Sequence, residues 1–227
     1  MKVLFIGDPN LGDAGFSVVQ RCFPQAQSFI WRKGDQRGKV EVRKAICATG
    51  SDVCISFYSD LVLRECELLH TGVTLNIHPA LPTVPGLGYD TIPLIENHSN
   101  HGATAHLIDD AGLDSGPIFD VEERPLPEGC CYLELRQRNQ AACLALLERA
   151  VNCIATCRTP DELRDCLLKS ASRCGWNWGD CYITEKEHRR RIGELLARDP
   201  QHPALRDNPL VPALLGTNGS RISSTVH

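Results

Sequence analysis

The sequence predicts an α/β fold: a doubly wound, mostly parallel sheet with helices on both faces and a small C-terminal helix and hairpin appendage. Three observations carry that expectation. Short apolar runs at Lys2 to Ile6, Asp52 to Phe57 and Val73 to His78 have the length of strands buried on both faces. Stretches of helical periodicity separate them, in units of about thirty residues, the size of a strand–helix–strand repeat. A longer helical pattern, Tyr132 to Cys157, then closes the unit, with Leu135, Ala142, Leu146, Val151 and Ile154 along one face.

Taken in order, the run Lys2 to Ile6 reads as a first buried strand rather than a signal peptide. The loop from Gly7 to Gly15 leads into a helix near Phe16 to Cys22. It lacks the Gly-Lys-Ser/Thr ending of a phosphate loop and the glycine spacing of a dinucleotide fingerprint, so a substrate-facing loop is expected there and a nucleotide cofactor is not. Gln27 to Arg32 reads as a second strand and Gly38 to Thr49 as a helix. After the strand Asp52 to Phe57, a turn of helix fits Leu61 to Leu69. The central strand follows Gly72 and is stopped by Pro79. A helix-length gap precedes the apolar run Ala103 to Ile108, and Ile118 to Glu123 reads as an edge strand. Right-handed crossovers would place the helices on both faces.

Residues 159–227 read as an appendage to a catalytic unit spanning 1–158. Its expected parts are a helix from Asp161 to Leu168, a hairpin from Cys174 to Ile183 and a helix from Arg189 to Ala197. A tail from Asp199, rich in proline, ends in residues expected to be disordered. Trp176 and Trp178, two apart, would share a strand face, either stacking on a ligand or anchoring the appendage.

Composition narrows the function classes. A net charge of −4 gives no reason to expect nucleic acid, whose phosphates call for clustered Lys and Arg. Arg189-Arg190-Arg191 fits a solvated helix face. No run approaches the ~20 apolar residues of a membrane span. Twelve cysteines without any Cys-x-x-Cys pair, in a chain with a 42% hydrophobic content, read as reduced, packed thiols of a cytoplasmic protein. Cys153 and Cys157 fall one helical turn apart, too few ligands for a metal site.

The chemistry concentrates between Val73 and Pro117. Side chains alternate along a strand, so Asn76 and His78 share one face while Leu75 and Ile77 take the other. The second run empties into the acidic loop Asp109-Asp110-Ala111-Gly112-Leu113-Asp114-Ser115-Gly116. Ligands of open α/β sheets sit outside the carboxyl ends of the strands, where Asn76, His78 and Asp114 would converge. A lone strand-end His or an Asp before Gly is ordinarily a capped residue or a turn former. His98, His101 and His106 suggest no common metal centre and read as structural or supporting residues.

Three ordered pieces resemble the formyltransferases that use 10-formyltetrahydrofolate, a family that includes glycinamide ribonucleotide, methionyl-tRNA and sugar-amine formyltransferases. They are Asn76-Ile77-His78-Pro79-Ala80-Leu81-Pro82, then His101-Gly102-Ala103-Thr104-Ala105-His106-Leu107-Ile108-Asp109, then Asp114-Ser115-Gly116. The resemblance covers about the first 155 residues and departs from the pattern twice: a single Leu81 before Pro82, and an acidic loop one residue longer, with Ala111 the extra.

The resemblance implies a Rossmann-like formyltransferase fold with Asn76, His78 and Asp114 catalytic. It implies a pterin beside Ser56, Tyr58 and Leu61 and the loop carrying Asp109, Asp110 and Leu113. The expected reaction moves a formyl group from 10-formyltetrahydrofolate to a primary amine of a small metabolite. The acceptor would be a nucleotide-linked amino sugar or an amino-acid-derived amine or hydroxylamine of secondary metabolism. Asn76 and His78 would donate to the developing oxyanion, and Asp114 would orient His78 or a water and take up the amine's proton. Two other readings stay open: a hydrolase of the formyl donor, and a non-catalytic folate-binding module. No metal is expected, and a homodimer is left open.

Overall fold

A computed structural model describes residues 1–109 and 112–219, so Asp110, Ala111 and the end of the tail lie outside the described residues. Six strands form one sheet: β1 (Val3–Gly7), β2 (Gln27–Ile30), β3 (Ser51–Phe57), β4 (Thr71–His78), β5 (Asn100–Leu107) and β6 (Ile118–Pro125), in the order β2-β1-β3-β4-β5-β6. The four strands β1 to β4 pair in parallel; β5 is antiparallel to β4, and β6 to β5.

The change of direction has a local cause. A parallel return needs a crossover of a dozen or more residues, usually a helix. Among residues 79–99 the helix is only α4 (Ile92–Ile95), and the loop before it is held elsewhere, with Leu87 N–H donating to Ile183 O at 2.8 Å. The chain therefore turns back along β4 instead of crossing over it. The helix-length gap thus holds a single helical turn, and the sheet is mostly parallel, with an antiparallel end at β5 and β6.

Alternation along the strands sends two sets of side chains to two cores. Val53, Ile55, Phe57, Leu75, Ile77, Ala105 and Leu107 pack on one face, beneath α1 (Gly12–Cys22), α5 (Tyr132–Thr156) and α6 (Pro160–Cys174). Leu4, Ile6 and Cys54 face the other way, onto Trp31, Leu61, Leu63 and Ile46 of α2 (Gln36–Thr49). A fully buried ring such as Phe57 contributes enough that its truncation to alanine would cost about 3–5 kcal/mol. The short α3 (Glu65–Leu68) leads into β4.

The C-terminal region is tied to the sheet at two levels. Leu163 and Leu167 of α6 lie in the same core as β4 and β5. Beyond them, α7 (Glu185–Arg198), a 3-10 turn at Pro203–Leu205 and α8 (Leu210–Gly219) form a cluster with Leu94 and Leu135. Thr159 and Thr184 accept backbone N–H groups as the N-caps of α6 and α7.

The expected hairpin at Cys174 to Ile183 does not form. Its backbone pairs with a different partner: Gly179 N–H donates to Pro82 O at 2.9 Å, and Ile183 N–H to Pro85 O at 2.9 Å. Gly86 sits at φ +91, and a Cβ there would come within 2.5 Å of Ile183 O, so glycine permits this contact. Trp176 and Trp178 are accordingly not on one strand face. Trp178 instead donates from Nε1 to Gly116 O at 2.8 Å.

Candidate active site

The strand registers build the site. Ser56 pairs with Asn76 and Asn76 with His106, which puts all three side chains on the face shared with Leu61 and away from α5. His78, opposite Thr104, follows at the carboxyl end of β4. A cavity of about 600 Å³ opens there, lined by Asn76, His78, His106 and Asp114 among others.

Asp114 reaches the cavity from the loop after β5, at φ +43, a left-handed backbone that Asp tolerates better than most residues. Its Oδ2 accepts the Gly86 N–H at 2.8 Å and lies 3.4 Å from His78 Nδ1; its Oδ1 lies 3.6 Å from His106 Nε2. Gly116, two residues on, crosses so close to the end of β5 that a Cβ would lie 1.8 Å from Leu107 O.

Carbonyl partners fix the ring protons. His78 Nε2 lies 2.9 Å from Val84 O; a carbonyl only accepts, so Nε2 carries a hydrogen and Nδ1 is left facing Asp114. His106 Nδ1 lies 3.0 Å from Leu107 O and is the donor there, so Nε2 accepts from the Asn76 amide at 3.0 Å. Burial pushes the Asp114 carboxyl up, but the neighbouring His78 and His106 rings and the Gly86 amide together hold it down at about 2.

Trp178 closes the outer side. Its indole packs edge-on against His106 with centroids 4.9 Å apart and against His78 at 5.8 Å. Tyr89 meets His78 edge-on from another direction, at 6.3 Å.

The structure thus brings Asn76, His78 and Asp114 around one cavity. Ser56, Tyr58, Leu61 and Leu113 line the same cavity, but on two sides. Ser56 and Leu61 share the face of Asn76 and His106, whereas the Tyr58 ring packs with the α5-side core. Asp109 is paired with Arg164 of α6 at 2.8 Å, and Asp110 lies outside the described residues. His101 points to the opposite face and shares a hydrogen bond with Asn139 at 2.9 Å.

Sequence reasoning gave His106 a structural or supporting role and Trp178 a ligand-stacking or anchoring one; it passed over Tyr89 and Arg136, which come from distant segments and carry no local signal. Among the described residues, no three or more His, Cys, Asp or Glu side chains are grouped to hold a metal ion. No helix among them is long and apolar enough to cross a membrane.

No protein-family model matches the chain. A phosphoribosylglycinamide formyltransferase of Mycobacterium tuberculosis is 40% identical over 86 residues, which span 37% of this chain and 40% of that relative, under half its length. Two solved structures share the architecture. An N-formyltransferase from Helicobacter canadensis, in complex with folinic acid and dTDP-3-aminofucose, aligns with 82% of this chain and 72% of its own at a TM-score of 0.61 and 15% identity. Glycinamide ribonucleotide transformylase 1 from Symbiobacterium toebii aligns with 69% of this chain and 88% of its own at a TM-score of 0.54 and 20% identity. The chain is thus similar in sequence to one such enzyme over that segment, and shares its fold with solved formyltransferases over most of its length.

Proposed function

We propose that the protein transfers a formyl group from 10-formyltetrahydrofolate to a primary amine of a small metabolite. The observation that carries this reading is the convergence of the Asn76 amide, the His78 ring and the Asp114 carboxylate on one cavity. Formyl transfer needs donors for a tetrahedral oxyanion and a route for one proton. One Asn76 N–H is held by His106, leaving the second free for the oxyanion. His78 Nδ1, 3.4 Å from Asp114, adds a second donor when the ring is protonated.

Asp114 at about 2 is too weak a base to keep a proton at neutral pH. Its carboxylate instead orients His78 and relays the proton that the attacking amine loses to the departing donor nitrogen. The apolar wall of Leu61, Leu63 and Leu113 beside Ser56 fits the flat pterin of the donor. The donor supplies the formyl carbon at the one-carbon oxidation level. The acceptor class that we favour is a nucleotide-linked amino sugar or an amino-acid-derived amine. The Helicobacter structure with folinic acid and an amino-sugar nucleotide supports the first of these.

The test is incubation with 10-formyltetrahydrofolate and a panel of amines, with mass spectrometry for formylated product and absorbance for tetrahydrofolate release. An amine-dependent rise in release with a matching adduct is expected. Release that ignores every amine would mark a hydrolase, and an Asn76→Ala variant as active as wild type would remove the basis of the reading.

A further inference from the structure

We propose that the acceptor carries an anionic group, carboxylate or phosphate, and that Arg136 and Tyr58 bind it on the α5 side of the cavity, across from the pterin wall. This rests on the transferase reading above. Both residues line the same cavity as Asn76, His78 and Asp114. Arg136, in the second turn of α5, is half-buried with 28% of its side chain exposed, and donates from Nη1 to Tyr132 Oη at 3.0 Å. Its carboxylate neighbour, Asp90 Oδ2, lies 3.9 Å away, beyond hydrogen-bond distance, and Asp90 Oδ1 is engaged by Asn139 at 3.1 Å. A guanidinium has five N–H donors in a planar fork matched to a carboxylate or phosphate edge. Taking such a charge partly out of water with its counter-ion held only at 3.9 Å is unfavourable, and a bound anion relieves that cost.

Tyr58 supplies the second, independent observation. Its residue surface is 8% exposed, and its hydroxyl is buried with no hydrogen-bond partner. Buried hydroxyls rarely go unpartnered in native proteins, and one that does calls for an explanation such as a missing ligand. Its backbone sits at φ +52, and its ring packs edge-on to Tyr89 at 5.9 Å. Tyr89 in turn touches His78, so one aromatic ring bridges the reacting centre and the Arg136 wall. An acceptor with its amine at Asn76 and His78 and its anion at Arg136 fits that span. Arg32 and Lys33 also line the cavity, but they follow β2, beyond Trp31, and Lys33 pairs with Asp60 at 3.8 Å. They make a control position for the anion.

The experiment compares matched amines: glucosamine 6-phosphate against glucosamine, and L-ornithine against putrescine. The expected result is that the anionic member of one pair has a kcat/KM about tenfold or more higher, the phosphate or the carboxylate arm naming the source. Arg136→Met should raise the KM of that member about tenfold, Arg136→Lys should recover part of it, and Tyr58→Phe should raise it several-fold. Circular dichroism and urea melts check that each variant is folded. Matched amines within twofold of each other in the wild type, or a KM effect that follows Lys33→Met instead of Arg136→Met, would overturn the proposal. Titration of inorganic phosphate and of acetate by calorimetry separates the two readings. If no amine is formylated but Arg136→Met weakens either anion, the transferase reading fails and the subsite stands. Equal affinity in wild type and variant, or binding of neither anion, sinks the subsite.

Discussion

Asn76 and His106 face each other across the antiparallel junction of β4 and β5, the amide nitrogen 3.0 Å from the ring Nε2. The Leu107 carbonyl fixes the ring from its other side at 3.0 Å. Asn76 is thus aimed by a rigid chain of two hydrogen bonds rather than by its own rotamer preference. Removing the donor should be costly: Asn76→Ala is expected to lower kcat by about 10² to 10³ with a smaller change in KM, measured by steady-state tetrahydrofolate release.

If His106 acts through Asn76, then His106→Ala should resemble a weaker Asn76→Ala. We expect a fall in kcat of about tenfold to a hundredfold, as for groups that orient a first contact. His106→Gln keeps an acceptor for the amide and should recover part of the loss. A His106→Ala variant with normal kcat, or a double variant whose losses simply multiply, would show that the two do not act as a unit.

How the site could be read in advance differs residue by residue. Asn76, His78 and Asp114 were legible because they sit in ordered motifs, and β1, β3 and β4 because their apolar runs have strand length. His106 was legible only as a structural or supporting residue, because its partner Asn76 depends on the β4–β5 register, and nothing local separates a 20-residue loop holding one helical turn from a crossover helix. Trp178 was misplaced for a related reason. Its segment looks like a hairpin by composition, but its backbone partners are Pro82 and Pro85, nearly a hundred residues away. Tyr58 was expected beside the pterin, while the wall it belongs to followed from the core on which its ring packs.

Trp178 shields both histidines and donates to Gly116 O, so ring and hydrogen bond can be separated. Trp178→Phe keeps most of the apolar cover and should cost about 1 kcal/mol in urea unfolding for the lost bond, with kcat within about tenfold. Trp178→Ala opens the site to water and should lose more in kcat than Trp178→Phe. Equal kcat values for the two would assign Trp178 to packing alone.

Asp114 and Asp90 make opposite predictions for stability against pH. Asp114 is held at about 2 by the net effect of burial, which raises it, and of His78, His106 and Gly86, which lower it. Its folded value is below its unfolded value, so its contribution is present above the ordinary carboxylate range and is lost as pH falls through about 2. The size is roughly 2 kcal/mol. Urea midpoints of wild type and Asp114→Asn should therefore converge at acid pH and stand apart at neutral pH.

Asp90 is pushed the other way. Burial raises its carboxyl to about 7, against smaller lowering effects of Asn139 and Arg136. The folded state then holds a proton that the unfolded state has released, so stability falls as pH rises from about 4 to about 7 and is level above that. Asp90→Asn retains a carbonyl that can accept from Asn139 and removes the proton, so its stability should lose this slope. In that window Asp114 is ionised in both states and adds none, which leaves the difference between wild type and Asp90→Asn as a reading of Asp90 alone. Urea melts at several pH values between 4 and 8 give that difference. A flat difference would mean that Asp90 is already ionised at acid pH, with Arg136 as its counter-ion. That guanidinium would then have less charge to offer an incoming anion.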